Sequence, residues 1–239
     1  MEKYSIDIDT DHIIAVIDRR RVLIDTGAPV SIGDRPEIVI LGQTYSLENK
    51  LLGMDIRQIS EQMNTEINAL LGMDILSKFM FYISHGIKGM ICSDYFINFT
   101  DKMQDVQINF NGTIPTLDLK IDGVDMKMIL DTGAKLSYLN PSLLEGRKSL
   151  GRKEDFYAGV GAFTAEVYEV PAEIKGNKMG VHFSRPPEWL EKTLYLSRCN
   201  GILGSDIFRY FNVQFCFKNN RIWLVEKSQQ AGSKGISHG

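Results

Sequence analysis

Ile24-Asp25-Thr26-Gly27-Ala28 is matched later in the chain by Leu130-Asp131-Thr132-Gly133-Ala134, and the reading of this pair decides the fold. Each copy follows alternating apolar and polar residues that read as a strand, and each leads to a serine, Ser31 or Ser137. A second match lies downstream: Asn68-Ala69-Leu70-Leu71-Gly72-Met73-Asp74-Ile75 against Asn200-Gly201-Ile202-Leu203-Gly204-Ser205-Asp206-Ile207. Beyond it each half has a strand pair. The first is KFMFYIS, turning at His85-Gly86 into KGMIC; the second is YFNVQFCF, turning at Asn219-Asn220 into RIWLV. One Asp-Thr-Gly arises by chance in a chain of 239 residues in roughly one case in twenty. Two copies, each with the same downstream match, require coincidence to recur in register. The repeat divides the chain into two mainly β lobes, residues 1–100 and 101–226. A polar tail, residues 227–239, reads as disordered from its composition.

Hydrophobic residues at 44%, charged residues at 24% and a formal net charge of -3 describe an ordinary folded chain with no electrostatic reason to bind nucleic acid. The start, MEKYSIDIDTD, has no continuous apolar stretch, and no later run reaches membrane-spanning length. The expectation is a cytoplasmic protein without membrane contact. Cys92, Cys199 and Cys216 lack the spacing of a disulfide framework or zinc site, and read as reduced thiols. His12, His85, His182 and His238 show no metal-ligand spacing, so neither a metal nor another cofactor is expected. GRKSLGRK, residues 146–153, has Arg152 where a phosphate-binding loop needs Lys, and reads as a solvated basic loop. GVGAFT lies between strand-like segments, with no helix to receive a pyrophosphate. No GxSxG elbow is present.

Two carboxylates, where a fold brings them together, suit amide hydrolysis by water. One takes a proton from water while the other gives one to the carbonyl oxygen. Like charges about 3 Å apart do not both ionise readily, so one proton is shared over a working pH range. The glycine after each threonine removes a Cβ where backbone and substrate approach closely.

Two Asp-Thr-Gly loops, each paired with a later Leu-Leu-Gly or Ile-Leu-Gly, resemble the pepsin and retroviral-protease superfamily. The resemblance covers most of both lobes. It implies an all-β, two-lobed acid-protease fold, with closed, barrel-like lobes related by a pseudo-two-fold axis. Asp25 and Asp131 would meet at the lobe interface as the catalytic pair, and Thr26 and Thr132 would brace the loops across it. Gly27, Ala28, Gly133 and Ala134 complete the loops. Ala28 and Ala134 lack the hydroxyl of the Ser found in pepsin-like lobes, so the charged form is less stabilised and a working pH nearer neutral is expected.

Family members cover an extended peptide with a β-hairpin flap. In the second lobe, residues 155–168 read as such a hairpin, with Tyr157, Gly159, Val160, Gly161 and Phe163 as candidate substrate contacts. The first lobe is shorter between its motifs. Its EIVILGQTYSL segment reads as a small hairpin or a core strand pair, so Tyr45 is given no flap role. The earlier LLGMDI copy at Leu51 to Ile56 is assigned to packing, and Trp189 reads as a loop anchor in preference to a cap on a substrate pocket. The expected protein is a monomeric aspartic endopeptidase acting on extended peptides or proteins. A non-catalytic peptide- or protein-binding module on the same fold is the alternative.

Overall fold

The structure is a computed structural model that describes residues 1–7, 12–84, 86–100, 102–157 and 161–227. The polar tail from residue 228 onward, and with it the expectation of disorder, lies outside the described residues.

The chain is mainly β, with two large sheets and a separate hairpin. The larger sheet has ten strands. In spatial order they are Gln104–Gln107, Arg221–Glu226, Phe211–Cys216, Met80–Ser84, Gly89–Ser93, Glu2–Asp7, Ile14–Ile17, Arg20–Ile24, Ala69–Leu71 and Ile32–Gly33. Strands from both halves of the chain therefore share this sheet. They meet where Met80–Ser84 runs antiparallel to Phe211–Cys216, pairing Ile83 with Val213 and Phe81 with Phe215. The Phe81 and Phe215 rings stack there at 4.6 Å, and Phe208 and Phe217 pack around Phe215. Aromatic and β-branched residues suit a pleated, covered surface, which is why these runs form strands.

The second sheet has eight strands: Asn109–Asn111, Ile114–Ile121, Val124–Leu130, Gly201–Leu203, Ser137–Leu139, Asn177–Ser184, Gly161–Ile174 and Ser149–Tyr157. Ile114–Ile121 also pairs with Gly161–Ile174, through Lys120 with Glu173 and Ile121 with Ala172, so the pairings return on themselves. In the first half they do not. The described strands there end at the two-residue edge Ile32–Gly33, and Glu37–Ile40 pairs only with Gln43–Ser46. Among the described residues the mainly β expectation thus holds, whereas closure of both lobes into barrels is not shown.

One local arrangement recurs in both halves. The strand entering each Asp-Thr-Gly loop pairs in parallel with the Leu-Leu-Gly or Ile-Leu-Gly strand, Ile24 beside Leu71 and Leu130 beside Leu203. That strand in turn runs antiparallel to the strand leaving the loop. Ala69–Leu71 and Gly201–Leu203 are buried at every residue, as apolar runs covered on both faces must be.

Two helices border the cleft. Ile56–Gln62 starts from a capping box in which Asp55 and Gln58 satisfy each other's backbone N–H groups, and it buries Ile56 and Ile59. Glu188–Ser197 buries Leu190 and Leu194, one turn apart, and ends at left-handed Arg198. The basic stretch expected as a loop instead contributes Ser149 to Lys153 to an exposed strand, drawn into extended form by pairing with Gly161–Ile174. Among the described residues no helix is long and apolar enough to cross a membrane.

Candidate active site

Each loop is suspended from the strand beneath it. The Asp25 N–H donates to the Leu71 carbonyl at 2.9 Å, and the Asp131 N–H to Leu203 at 3.0 Å. Ser31 and Ser137 accept from the Gly72 and Gly204 N–H groups at 2.8 and 3.0 Å, tying the strand after each loop to the apolar-apolar-Gly segment. Asn68 and Asn200, which open the downstream match, accept from Arg21 and Lys127 N–H, both at 3.0 Å. The repeated residues are those that make the repeated bonds.

The loops are locked to each other by their threonines. The Thr26 N–H donates to Thr132 Oγ1 at 3.1 Å, and the Thr132 N–H to Thr26 Oγ1 at 3.0 Å. Each hydroxyl then donates across the junction, Thr26 to the Leu130 carbonyl at 2.7 Å and Thr132 to the Ile24 carbonyl at 2.6 Å. Both side chains are fully buried. Four satisfied bonds in a water-excluded place hold the junction firmly.

This lock sets each carboxyl against the opposite loop's glycine, close enough for the two acids to act on each other's proton affinity. Asp25 Oδ1 accepts the Gly27 and Ala28 N–H groups at 2.9 and 3.0 Å, and Asp131 Oδ1 accepts those of Gly133 and Ala134 at 3.0 and 3.1 Å. A Cβ on Gly27 would stand 2.3 Å from the Asp131 carboxyl carbon, and one on Gly133 2.3 Å from that of Asp25. Only glycine permits that approach. Burial raises the pKa of both carboxyls above the usual carboxylate range; for Asp25 the neighbouring Asp131 charge adds to it, while for Asp131 hydrogen bonds oppose it. Two carboxyls so placed do not titrate independently of each other.

A cavity of about 200 Å³ lies over the pair. Leu51, Leu52, Ile59 and Met63 form part of its wall from the first half, facing Phe156, Tyr157 and Trp189 from the second. His12, buried, sets Nδ1 3.2 Å from the Gly133 carbonyl oxygen at its margin. A second cavity of about 470 Å³ adjoins, sharing His12, Met63 and Phe156.

The hairpin read as a flap is present as Ser149–Tyr157 against Gly161–Ile174, pairing Tyr157 with Gly161 and Asp155 with Phe163. Tyr157 reaches the pair, its hydroxyl 3.5 Å from Asp131 Oδ2. Gly161 has φ +90, which favours glycine. Phe163 sits away from the carboxyls, with its ring 6.3 Å from that of Tyr138, and lines the second cavity. Gly159 and Val160 lie outside the described residues.

Three cavity features escaped the sequence reading. Trp189 is not a loop anchor but stands in the first turn of Glu188–Ser197, 6.3 Å from the Tyr157 ring. Leu51 and Leu52, from the LLGMDI copy assigned to packing, line the cavity as well, although Leu51 is also core. His12 gave no signal by spacing. Tyr45 lies against Phe79 at 6.4 Å, consistent with a core strand pair.

No family model matches the chain, and no curated protein matches it. Among solved structures it is similar to the "Crystal structure of a retropepsin-like aspartic protease from Rickettsia conorii", at 14% identity and a TM-score of 0.35, over 54% of this chain and 96% of that one.

Proposed function

We propose that this chain is an aspartic endopeptidase, in which Asp25 and Asp131 activate a water molecule between two retroviral-protease-like lobes, residues 1–100 and 101–226. The observation that carries the reading is the pair of carboxyls set against each other's loops, with each Oδ1 held by two backbone N–H groups. Burying two acids in contact is costly, and a purely structural role has cheaper solutions. With one proton between them, one carboxylate accepts a proton from water as the water oxygen bonds to the peptide carbonyl carbon. The other carboxyl gives its proton to the carbonyl oxygen, forming a neutral diol. The first carboxyl then gives its proton to the amide nitrogen while the second takes one back from a diol hydroxyl, and the C–N bond breaks to leave a carboxylic acid and an amine with the pair again sharing one proton. The neutral pair lacks the base and the dianion lacks the acid, so the pH profile is bell-shaped.

The substrate is an extended peptide or unfolded segment lying in the cleft under the Ser149–Ile174 hairpin, which excludes water from the reacting bond. One chain supplies both loops, so a monomer suffices. The open first half favours the second reading, a peptide-binding module that does not cut. Incubation with a diverse peptide mixture across pH separates the two. Wild type should cleave, whereas Asp25→Asn and Asp131→Asn should each lose roughly a thousandfold or more in kcat. Absence of cleavage, or cleavage surviving both substitutions, sinks the peptidase.

A further inference from the structure

The two carboxyls are alike at their inner oxygens and unlike at their outer ones. Asp131 Oδ2 accepts a third bond, from the Tyr157 hydroxyl at 3.5 Å. Among the described residues the first half has no counterpart. Its hairpin tyrosine, Tyr45, donates instead to Gln43 Oε1 at 3.0 Å. Asp25, partly exposed, looks into a cavity whose first-half wall is mostly leucine, isoleucine and methionine, with His12 at its margin beside the Gly133 carbonyl. A negative charge is therefore better served on Asp131, where a hydroxyl dipole faces it, than on Asp25, which among the described residues receives no such side-chain hydroxyl.

Tyr157 is held in place to do this. Its ring meets that of fully buried Tyr138 edge-on, at 6.4 Å and 89°, and that of Trp189 at 6.3 Å on another side. The Tyr138 hydroxyl is in turn bound by Asp155, two residues before Tyr157 and hence on the same strand face. Burial first, then the charges of Asp131 and Asp25, raise the Tyr157 pKa, so the hydroxyl stays protonated and acts as donor. The other titratable groups here are His12, beside the Gly133 carbonyl, and Tyr138, Asp155 and Lys135, where Lys135 acts on Asp155.

We propose that Tyr157, by donating its hydroxyl to Asp131, places the negative charge of the pair on Asp131 and the shared proton on Asp25. The assignment of roles rests on the peptidase reading. Asp131 is then the base that takes the water proton as the C–O bond forms, and Asp25 the acid that protonates the carbonyl oxygen. At the diol, Asp131 is neutral and Asp25 carries the charge, so the Tyr157 bond weakens and re-forms when the protons return.

The test is carboxyl-carbon NMR titration of protein carrying 13C-labelled Asp, in Asp25→Asn and Asp131→Asn, each with and without Tyr157→Phe. The phenylalanine keeps the ring contacts, and asparagine is close in shape to a protonated aspartic acid. In Asp25→Asn, Asp131 should hold its proton less tightly than Asp25 does in Asp131→Asn. Adding Tyr157→Phe should raise the proton affinity of Asp131 roughly tenfold and leave that of Asp25 unchanged. Equal affinities in the two single variants, or an Asp131 that ignores Tyr157→Phe, overturn the proposal. In the otherwise wild-type enzyme, Tyr157→Phe should move the acid limb of the kcat/KM profile upward and leave the alkaline limb in place. Failure of the wild type to cleave overturns the assignment of base and acid, while the titration decides the placement of the charge independently of turnover.

Discussion

Each half follows its Asp-Thr-Gly loop with a hairpin, and the two hairpins serve different ends. Glu37–Ile40 with Gln43–Ser46 turns Ile38 and Ile40 into the core and lays Tyr45 on Phe79. Ser149–Tyr157 with Gly161–Ile174 carries Phe156 and Tyr157 over the carboxyls. Below them the two halves agree almost bond for bond. The loop floor is fixed by backbone hydrogen bonds that tolerate little change, whereas the elements above it answer only to packing and substrate, and have been free to diverge.

The comparison is tested most severely at the floor. Gly27→Ala and Gly133→Ala each drive a Cβ into the opposite carboxyl, and should each reduce kcat at least a hundredfold, since a displacement near 1 Å is enough for that. Markedly unequal losses would break the symmetry of the floor. Thr26→Val and Thr132→Val each remove a buried hydroxyl that both donates and accepts, and should cost about 2–4 kcal/mol apiece in urea unfolding.

A third measurement uses the proton. Because both carboxyl pKa values are raised by burial, the native state keeps protons that the unfolded chain has released above pH about 4. The stability linked to those protons is present below the unfolded value and is lost as pH rises through the folded one. Asp25→Asn, which no longer titrates there, should melt above wild type near neutral pH and approach it in acid. A variant equally or less stable at neutral pH would contradict the burial cost. The smallest effects sharpen the contrast above the floor. Trp189→Ala should raise KM about tenfold with little change in kcat, by loss of apolar contact. Tyr45→Phe should leave both constants unchanged; a loss matching that of Trp189→Ala would erase the distinction between the hairpins.

Asp25, Asp131 and their loops were legible because the chemistry is local. A turn that offers successive N–H groups to its own aspartate is written in four residues, and the threonine exchange needs only a second copy. Asn68 and Asn200 were visible as matched letters before their bonds to Arg21 and Lys127 gave the match a reason. Trp189 was misread because Arg185-Pro186-Pro187 suggests a loop, whereas Pro187 caps a helix whose first turn presents the indole to the cavity. Residues 149–153 were misread because their extended form depends on a distant partner, with Arg152 opposite Glu166. The openness of the first half could not be read from motifs, since closure is a property of strand count and partner, not of any one segment.

The seam between Met80–Ser84 and Phe211–Cys216 has a consequence for synthesis. Residues 2–93 can complete their share of the ten-stranded sheet among themselves, leaving Met80–Ser84 as a bare edge. Its natural partner emerges from the ribosome more than a hundred residues later, a wait on the order of ten seconds. During that interval an apolar edge, MFYIS, is offered to any neighbouring nascent chain. Truncated or slowly translated products should therefore aggregate edge to edge, and a chain interrupted before Phe211 is a greater hazard to the cell than one lacking its polar tail.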